Sequence, residues 1–314
     1  MTSPSSLKCV KTGSCVTPRP WRDPPKTGRS AVSIQLTRSK ALAFSLPALI
    51  AILPFLGACF YIFRFSISGE QSRIEGFSLQ PYLDLMTPYF GRSVWLTLRL
   101  AFIATLLAML MAVPLAFLLT SLRNPFARRA LTIVILLPLI LNLLVQAYGW
   151  ILLLGPSGVL NATLRSLGII ERPIFLLFNE TGVLLGLVQT SLPLAVFPIV
   201  SSVRGISREH LEAASSLGAS HWRIFFDVTV PLLRPGLFGA ASIVFAFNAS
   251  AFAIPLLLGG RRVQMMGIAI RDMISPLFNW SGAAAAGMIL IFVTMFVMLF
   301  AAWLARVTSE KVER

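Results

Sequence analysis

The residues whose types and spacing best suit a task lie in one stretch, Ser207 to Gly236, which reads SREHLEAASSLGASHWRIFFDVTVPLLRPG. Glu212, Ala213 and Ala214 are followed by Gly218 and, after nine further residues, by Val228, Val230 and Pro231. The chemistry this offers is non-covalent. An acid on a helix thinned by two alanines suits seating in a groove of another protein, with the carboxylate paired to a basic or amide group. By periodicity alone the same residues also fit a loop whose apolar side chains lie on a lipid surface.

Local signals divide the stretch into two short amphipathic helices. Ser207 is a plausible N-cap, Glu209 and Glu212 lie near the positive end of the first helix, and Leu211, Ala214 and Leu217 recur at helical spacing. Gly218 supplies a C-terminal stop. The second helix is expected to begin at Ser220, carry Trp222, Phe225 and Phe226, and end before Pro231, which has no N–H to continue the ladder.

Other chemistry is hard to find. The phosphate-cradling G-x-x-x-x-G-K-[ST] pattern is absent and no Gly-Lys dipeptide occurs, so the chain does not bind ATP in the P-loop manner. Cys9, Cys15 and Cys59 form neither a disulfide framework nor a metal motif. No catalytic group, cofactor site or metal site is expected.

The elements that position the loop are membrane spans. Apolar residues make up 56% of the 314 and charged residues 12%, and the mean hydropathy is +0.80; this is the composition of a polytopic membrane protein. The net charge of +15 is scattered between apolar runs and so follows membrane topology, not a nucleic-acid face. Six stretches reach the length a bilayer demands: Ala41 to Phe63, Val94 to Thr120, Ala130 to Leu154, Gly182 to Ser201, Gly236 to Leu258 and Ser281 to Ala305. The expected fold is all-α with six transmembrane helices. Arg123, Arg128 and Arg129, then Arg204, Arg208, Arg223 and Arg234, then Arg306, Lys311 and Arg314 fall on one side with the basic tail. Both termini and the Glu212 loop are therefore expected in the cytoplasm. On the outer side Glu70, Glu75, Asp84, Glu171, Glu180 and Asp272 offset the arginines, and Gly69 to Gly91 suggests a short helix lying on the membrane.

The order Glu212-Ala213-Ala214, Gly218, Val228-x-Val230-Pro231 resembles the EAA loop of the membrane-spanning permease subunits of ATP-binding-cassette importers, and precedes the penultimate span as in that family. The likeness extends from about Tyr89 to Arg306. Gln146 to Asn161, Leu185 to Ile199, Phe252 to Gly260 and Asn279 to Ala286 look most like the spermidine/putrescine branch, although that branch often carries an acid where this chain has Ala251. Branches for ferric iron, sulfate, thiamine, phosphonates or amino-acid derivatives share parts of these motifs.

What the resemblance implies is a type I importer transmembrane domain in a bacterial inner membrane: a basic tail at 1–40, a first span and outer loop at 41–88, a permease core at 89–306 holding the coupling loop 207–236, and a C-terminal tail at 307–314. It implies two separate ATP-binding subunits, a second permease, identical or homologous, and an extracytoplasmic solute-binding protein. The cargo would be a polyamine or another small solute. Glu212, Ala213, Ala214, Gly218, Val228, Val230 and Pro231 would couple to the ATPase. Asn142, Gln146, Gln189, Asn248 and Ser250 are candidates for a polar path, and each of them equally fits an interhelical hydrogen bond. A secondary transporter or channel without an ATPase is the other class. The spans carry no Asp, Glu, His or Lys to serve it, and Arg99 stands as the single charge at depth, able to snorkel.

Overall fold

The computed structural model describes residues 38–68 and 78–310. The basic tail as far as Thr37, Glu70, Glu75, Lys311 and Arg314, and the side chains of Arg208 and Leu211, lie outside what is described. Among the described residues every regular element is helical. Up to Leu56 the chain forms one unit, of which the described part is the start of helix α1 (Arg38–Ser66). From Gly57 onward it forms a second unit.

The second unit is organised around three helices, α3 (Pro88–Ser121), α7 (Glu180–Gly205) and α10 (Val230–Ser250), which pack on one another. Alanine at every fourth position explains why α3 is central. Ala104, Ala108, Ala112 and Ala116 stack on one face below Leu100, and all five are completely buried. Small side chains let helix backbones approach closely, which is how helices associate where lipid removes the hydrophobic drive. Opposite them lie Val183, Leu187, Ala195, Val196 and Ile199 of α7 and Ala240 and Val244 of α10. Gly236 of α10 is part of this close approach, because a Cβ there would fall 2.5 Å from the Ser202 Cβ.

Around this core run α2 (Gln80–Asp84), α4 (Pro125–Ile140), α5 (Leu143–Leu154), α6 (Val159–Ser166), α8 (Arg208–Ser216), α9 (His221–Arg223), α11 (Met266–Ile274) and α12 (Trp280–Glu310). Five stretches are long and apolar enough to cross a bilayer: Pro88–Ser121, Leu143–Ser166, Glu180–Gly205, Ile224–Ser250 and Trp280–Trp303. α1 is the sixth long helix, with its described apolar part at Ile52–Ser66.

Two expectations are corrected. The third span is not one helix: α4 stops at Ile140 and α5 restarts at Leu143. Pro138 removes a donor and its ring crowds the carbonyl four residues back; Leu141 and Asn142 then take extended ψ values of 139° and 135°, and the Asn142 side chain caps the new helix at the Leu144 N–H. The fifth span ends at Ser250 and not at Leu258, because the chain leaves the helix at Ala251 and re-forms a π-helical turn at Pro255–Gly259. Pro193 and Pro198 sit inside α7, which runs unbroken past both. The Arg99 guanidinium forms an ion pair with Glu180 in the first turn of α7, and both side chains are partly exposed.

The outer segment does contain a short helix, α2, packed on α12. Pro81 and Leu85 are buried while Leu79, Leu83 and Met86 face outward, and the Tyr82 hydroxyl donates to Ser66 Oγ at 2.9 Å.

Candidate functional site

The loop 207–236 folds as a short helix followed by a helical turn that merges into a span. α8 starts at Ser207, whose ψ of 143° is the extended geometry of a cap, and Glu209 lies in its first turn, where the helix dipole favours an acid. The Ser215 and Ser216 hydroxyls both donate to the Glu212 carbonyl, at 2.8 and 2.9 Å. Gly218 then takes φ +77°, its N–H donates to the Ser215 carbonyl at 3.0 Å, and the Ala219 N–H reaches back to Ala214 at 3.3 Å. Those two bonds form a Schellman stop, which needs the left-handed conformation that glycine adopts without penalty.

The second half differs from the sequence expectation. α9 does not end before Pro231. It widens into a π-helical turn at Ile224–Thr229 and continues as α10, giving one 27-residue helix from Ile224 to Ser250. The Val230 N–H bonds the Phe225 carbonyl, five residues back. A π turn widens the helix just where Pro231 has no donor and needs room for its ring. Asp227 and Arg234 thus ride in the first turns of a helix that goes on into the core.

The candidate coupling residues fall into two sets. Glu212, Ala213 and Gly218 are exposed and Ala214 is half-buried, while Val228, Val230 and Pro231 are half-buried at the junction with α10. Beside the first set, Leu217 is 88% exposed and Trp222 75%. α8 packs on the π-helical turn, and Phe225 in that turn meets Phe117 of α3 with ring centroids 5.5 Å apart. The exposed tip is thus continuous with α10 and touches α3 through this aromatic pair. The Phe117 to Phe225 pairing carried no sequence signal, being a contact across 108 positions.

The candidate path residues divide differently. Asn248 is completely buried and its Nδ2 lies 3.5 Å from both Thr105 Oγ1 and Ser191 Oγ, so one amide joins α10, α3 and α7. Its Oδ1 has no donor. Gln189 accepts from Trp150 Nε1 at 2.7 Å, tying α7 to α5. Gln146 is buried and bonds carbonyls at the break between α4 and α5. Asn142 is exposed and caps α5 at the same break, its carbonyl accepting from the Gln146 N–H at 3.1 Å; Ser250 is exposed, joins none of these groups and donates to the Phe247 carbonyl of its own helix. Thr105 was missed, although a hydroxyl interrupting a stripe of alanines is a signal that the sequence does carry. Among the described residues no group of three or more His, Cys, Asp or Glu side chains could hold a metal ion.

A helical bundle with an exposed loop before its penultimate long helix can be compared with known proteins. Residues 104–310 match the model of the binding-protein-dependent transport system inner membrane component. The chain belongs to this family. It is a multi-pass permease of the inner membrane, with the all-helical fold of type I importer membrane domains. The permease is 32% identical over 237 residues to the spermidine/putrescine transport system permease protein PotB of Haemophilus influenzae, covering 75% of this chain and 82% of the relative. PotB of Escherichia coli is likewise 32% identical over 238 residues, covering 76% and 86%. The molybdenum transport system permease protein ModB of Azotobacter vinelandii is 31% identical over 218 residues, covering 68% and 93%. Among solved structures, a bacterial transporter that imports alginate matches with a TM-score of 0.71 at 19% identity, covering 85% of this chain and 94% of the other.

Proposed function

We propose that this permease is the membrane-spanning subunit of an ATP-driven, binding-protein-dependent importer whose cargo is a polyamine such as putrescine or spermidine. The observation that carries the cargo is the 32% identity to two spermidine/putrescine permeases over most of each chain. Hydrolysis belongs to separate ATP-binding subunits, which dock on α8, and a second permease and an extracytoplasmic binding protein complete the assembly. An alginate transporter of the same fold has been solved with a periplasmic protein bound. Glu212, Ala213 and Ala214 form the docking face, Gly218 and Pro231 set its angle, and both termini lie on the docking side. Closure of the ATPase pair on ATP then tilts the 27-residue helix that the loop continues into, alternating access to the path.

A second cargo reading rests on two observations. The ModB relative is nearly as similar, and the position before Phe252 is Ala251, with no carboxylate to favour a polycation. One experiment separates them. The importer is captured in mild detergent through this chain, reconstituted with its partners in vesicles, and given radiolabelled putrescine or molybdate, with Glu212→Lys as the control. Putrescine uptake that the control loses, together with loss of the co-purifying ATPase, is the expected result. Molybdate uptake without putrescine uptake overturns the polyamine cargo, and a chain that purifies with no ATPase in either form overturns the importer.

A further inference from the structure

Arg123, Arg128 and Arg129 lie at the turn between α3 and α4, and all three are exposed. The described ion pairs are Arg99 with Glu180 and Arg271 with Asp272, so no described carboxylate neutralises any of the three. From Leu85 to Ile170 the chain contains no acid at all. The 207–236 loop lies at the same end of the bundle, since Phe117 near the end of α3 meets Phe225. There Glu209, Glu212 and Asp227 accompany Arg208, Arg223 and Arg234. One connection at this end is mixed in charge, and the other is purely cationic.

The cationic turn is well built. The Leu122 N–H donates to the Leu118 carbonyl at 3.1 Å, the Phe126 N–H donates to Asn124 Oδ1 at 2.9 Å, and the Arg128 N–H donates to the Asn124 carbonyl at 3.1 Å. Its backbone therefore meets much of its own need, and the guanidinium groups are left with every donor free. An apolar stripe runs straight on from them. Phe126, Ala130, Ile133, Leu137 and Ile140 recur at spacings of four and three along α4, and all are exposed, Phe126 by 79%. Arg129, three residues after Phe126 and four before Ile133, lies on that same face. Arginine is excluded from hydrocarbon, so the passage from the apolar run ending at Leu122 to Arg123 marks the headgroup layer.

We propose that the α3–α4 turn binds an anionic phospholipid, its phosphate held by Arg123 and Arg129 with Arg128 adding charge, and an acyl chain lying along the stripe on α4. Guanidinium groups hold phosphate oxygens in pairs of parallel hydrogen bonds. The stripe selects a lipid over free phosphate, because apolar surface directly continuous with the cations has no use for an inorganic ion. The charge selects a net anionic headgroup. A zwitterionic one brings its own cation to a turn already crowded with three, and finds no acid of the turn to pair with it. This site is independent of which solute the importer carries.

The test uses the importer captured through this chain and placed in nanodiscs of phosphatidylglycerol and phosphatidylcholine, with the lipid that stays bound after detergent exchange counted by mass spectrometry. Phosphatidylglycerol is expected to be retained over phosphatidylcholine, less so as salt rises. Arg123→Gln, Arg128→Gln and Arg129→Gln together are expected to weaken that retention about a hundredfold, about fivefold for each arginine. Should the triple variant fail to insert, Arg129→Gln alone decides, through its fivefold loss. Phe126→Ser leaves the cations in place and is expected to weaken retention severalfold. Arg261→Gln with Arg262→Gln, on the exposed turn beside the start of α7, is expected to leave it unchanged. Equal retention of the two lipids by the wild type, or wild-type retention in the arginine variants, overturns the proposal. So does an equal loss in the Arg261 and Arg262 variant, which assigns the effect to overall charge. Displacement of phosphatidylglycerol by inorganic phosphate in equal amount overturns the lipid as the ligand. If the arginine variants keep the lipid and lose the co-purifying ATPase, the turn serves the ATP-binding subunits and the lipid site is overturned.

Discussion

The interior of α3, α7 and α10 and the tip of the 207–236 loop are built from opposite choices. In the interior, Leu100, Ala104, Ala108, Ala112 and Ala116 are completely buried and their partners on α7 and α10 leave no room. At the tip, Leu217, Trp222 and Phe226 hold large apolar surfaces outside, and Glu212 stands exposed beside them. The interior is complete within one chain, whereas the tip leaves large apolar side chains uncovered. Its local structure is nonetheless specified by cap, Schellman stop and π turn, so the proposed docking there would meet a preformed face and lose little entropy.

The largest effect should come from overfilling the interior. Ala108→Leu adds three carbons where α3 meets its neighbours, and overpacking of this kind costs about 1–3 kcal/mol. A clear loss of thermal stability in detergent is expected. Leu217→Ala, at the 88% exposed tip, should change stability by less than about 0.5 kcal/mol. Equal losses in the two variants would erase the distinction between a self-sufficient interior and an open tip.

Gly218 sharpens the comparison from the other side. A Cβ at this position meets nothing within 4 Å, yet φ is +77°. The cost of Gly218→Val is therefore conformational and not steric crowding, about 1–3 kcal/mol for a β-branched residue held there. Membrane insertion and the interior should survive, while ATPase co-purification and uptake are lost. Gly218→Asn, which tolerates the left-handed region better, should recover much of both. Normal uptake by Gly218→Val would sink the lever.

Much of this architecture was legible because it is local. The expected span Val94 to Thr120 lies within α3, Gly182 to Ser201 within α7 and Ser281 to Ala305 within α12, since apolar length marks a helix whatever it packs against. The stop at Gly218 was also readable, as glycine after a helical run has one common use. The misreadings share a cause. Proline was expected to end α9 before Pro231, but the helix widened and continued; near Pro138 it broke two residues later, where Asn142 could cap a restart. Whether a helix bends, widens or breaks at proline depends on what supplies the lost bonds, and those partners lie elsewhere in the chain. Trp150 on Gln189 and Arg99 on Glu180 were invisible for the same reason.

The smallest and most informative effect lies where the two regions touch. Phe225 belongs to the π-helical turn and Phe117 to the last turns of α3, and their tilted rings form a direct contact between the loop and the interior. Each is half-buried, so Phe117→Ala and Phe225→Ala should each lower stability modestly. The double variant should lose less than the sum, by about 0.5–1.5 kcal/mol, the contribution of an aromatic pair beyond its buried area. A second reading matters more than that energy. If the loop moves α3 through this contact, either single variant should retain the ATPase in mild detergent yet transport less cargo per ATP hydrolysed. If stability is additive and transport per ATP is unchanged, the stroke travels along α10 alone. The rigid junction at Val228, Val230 and Pro231 would then carry it without help from α3.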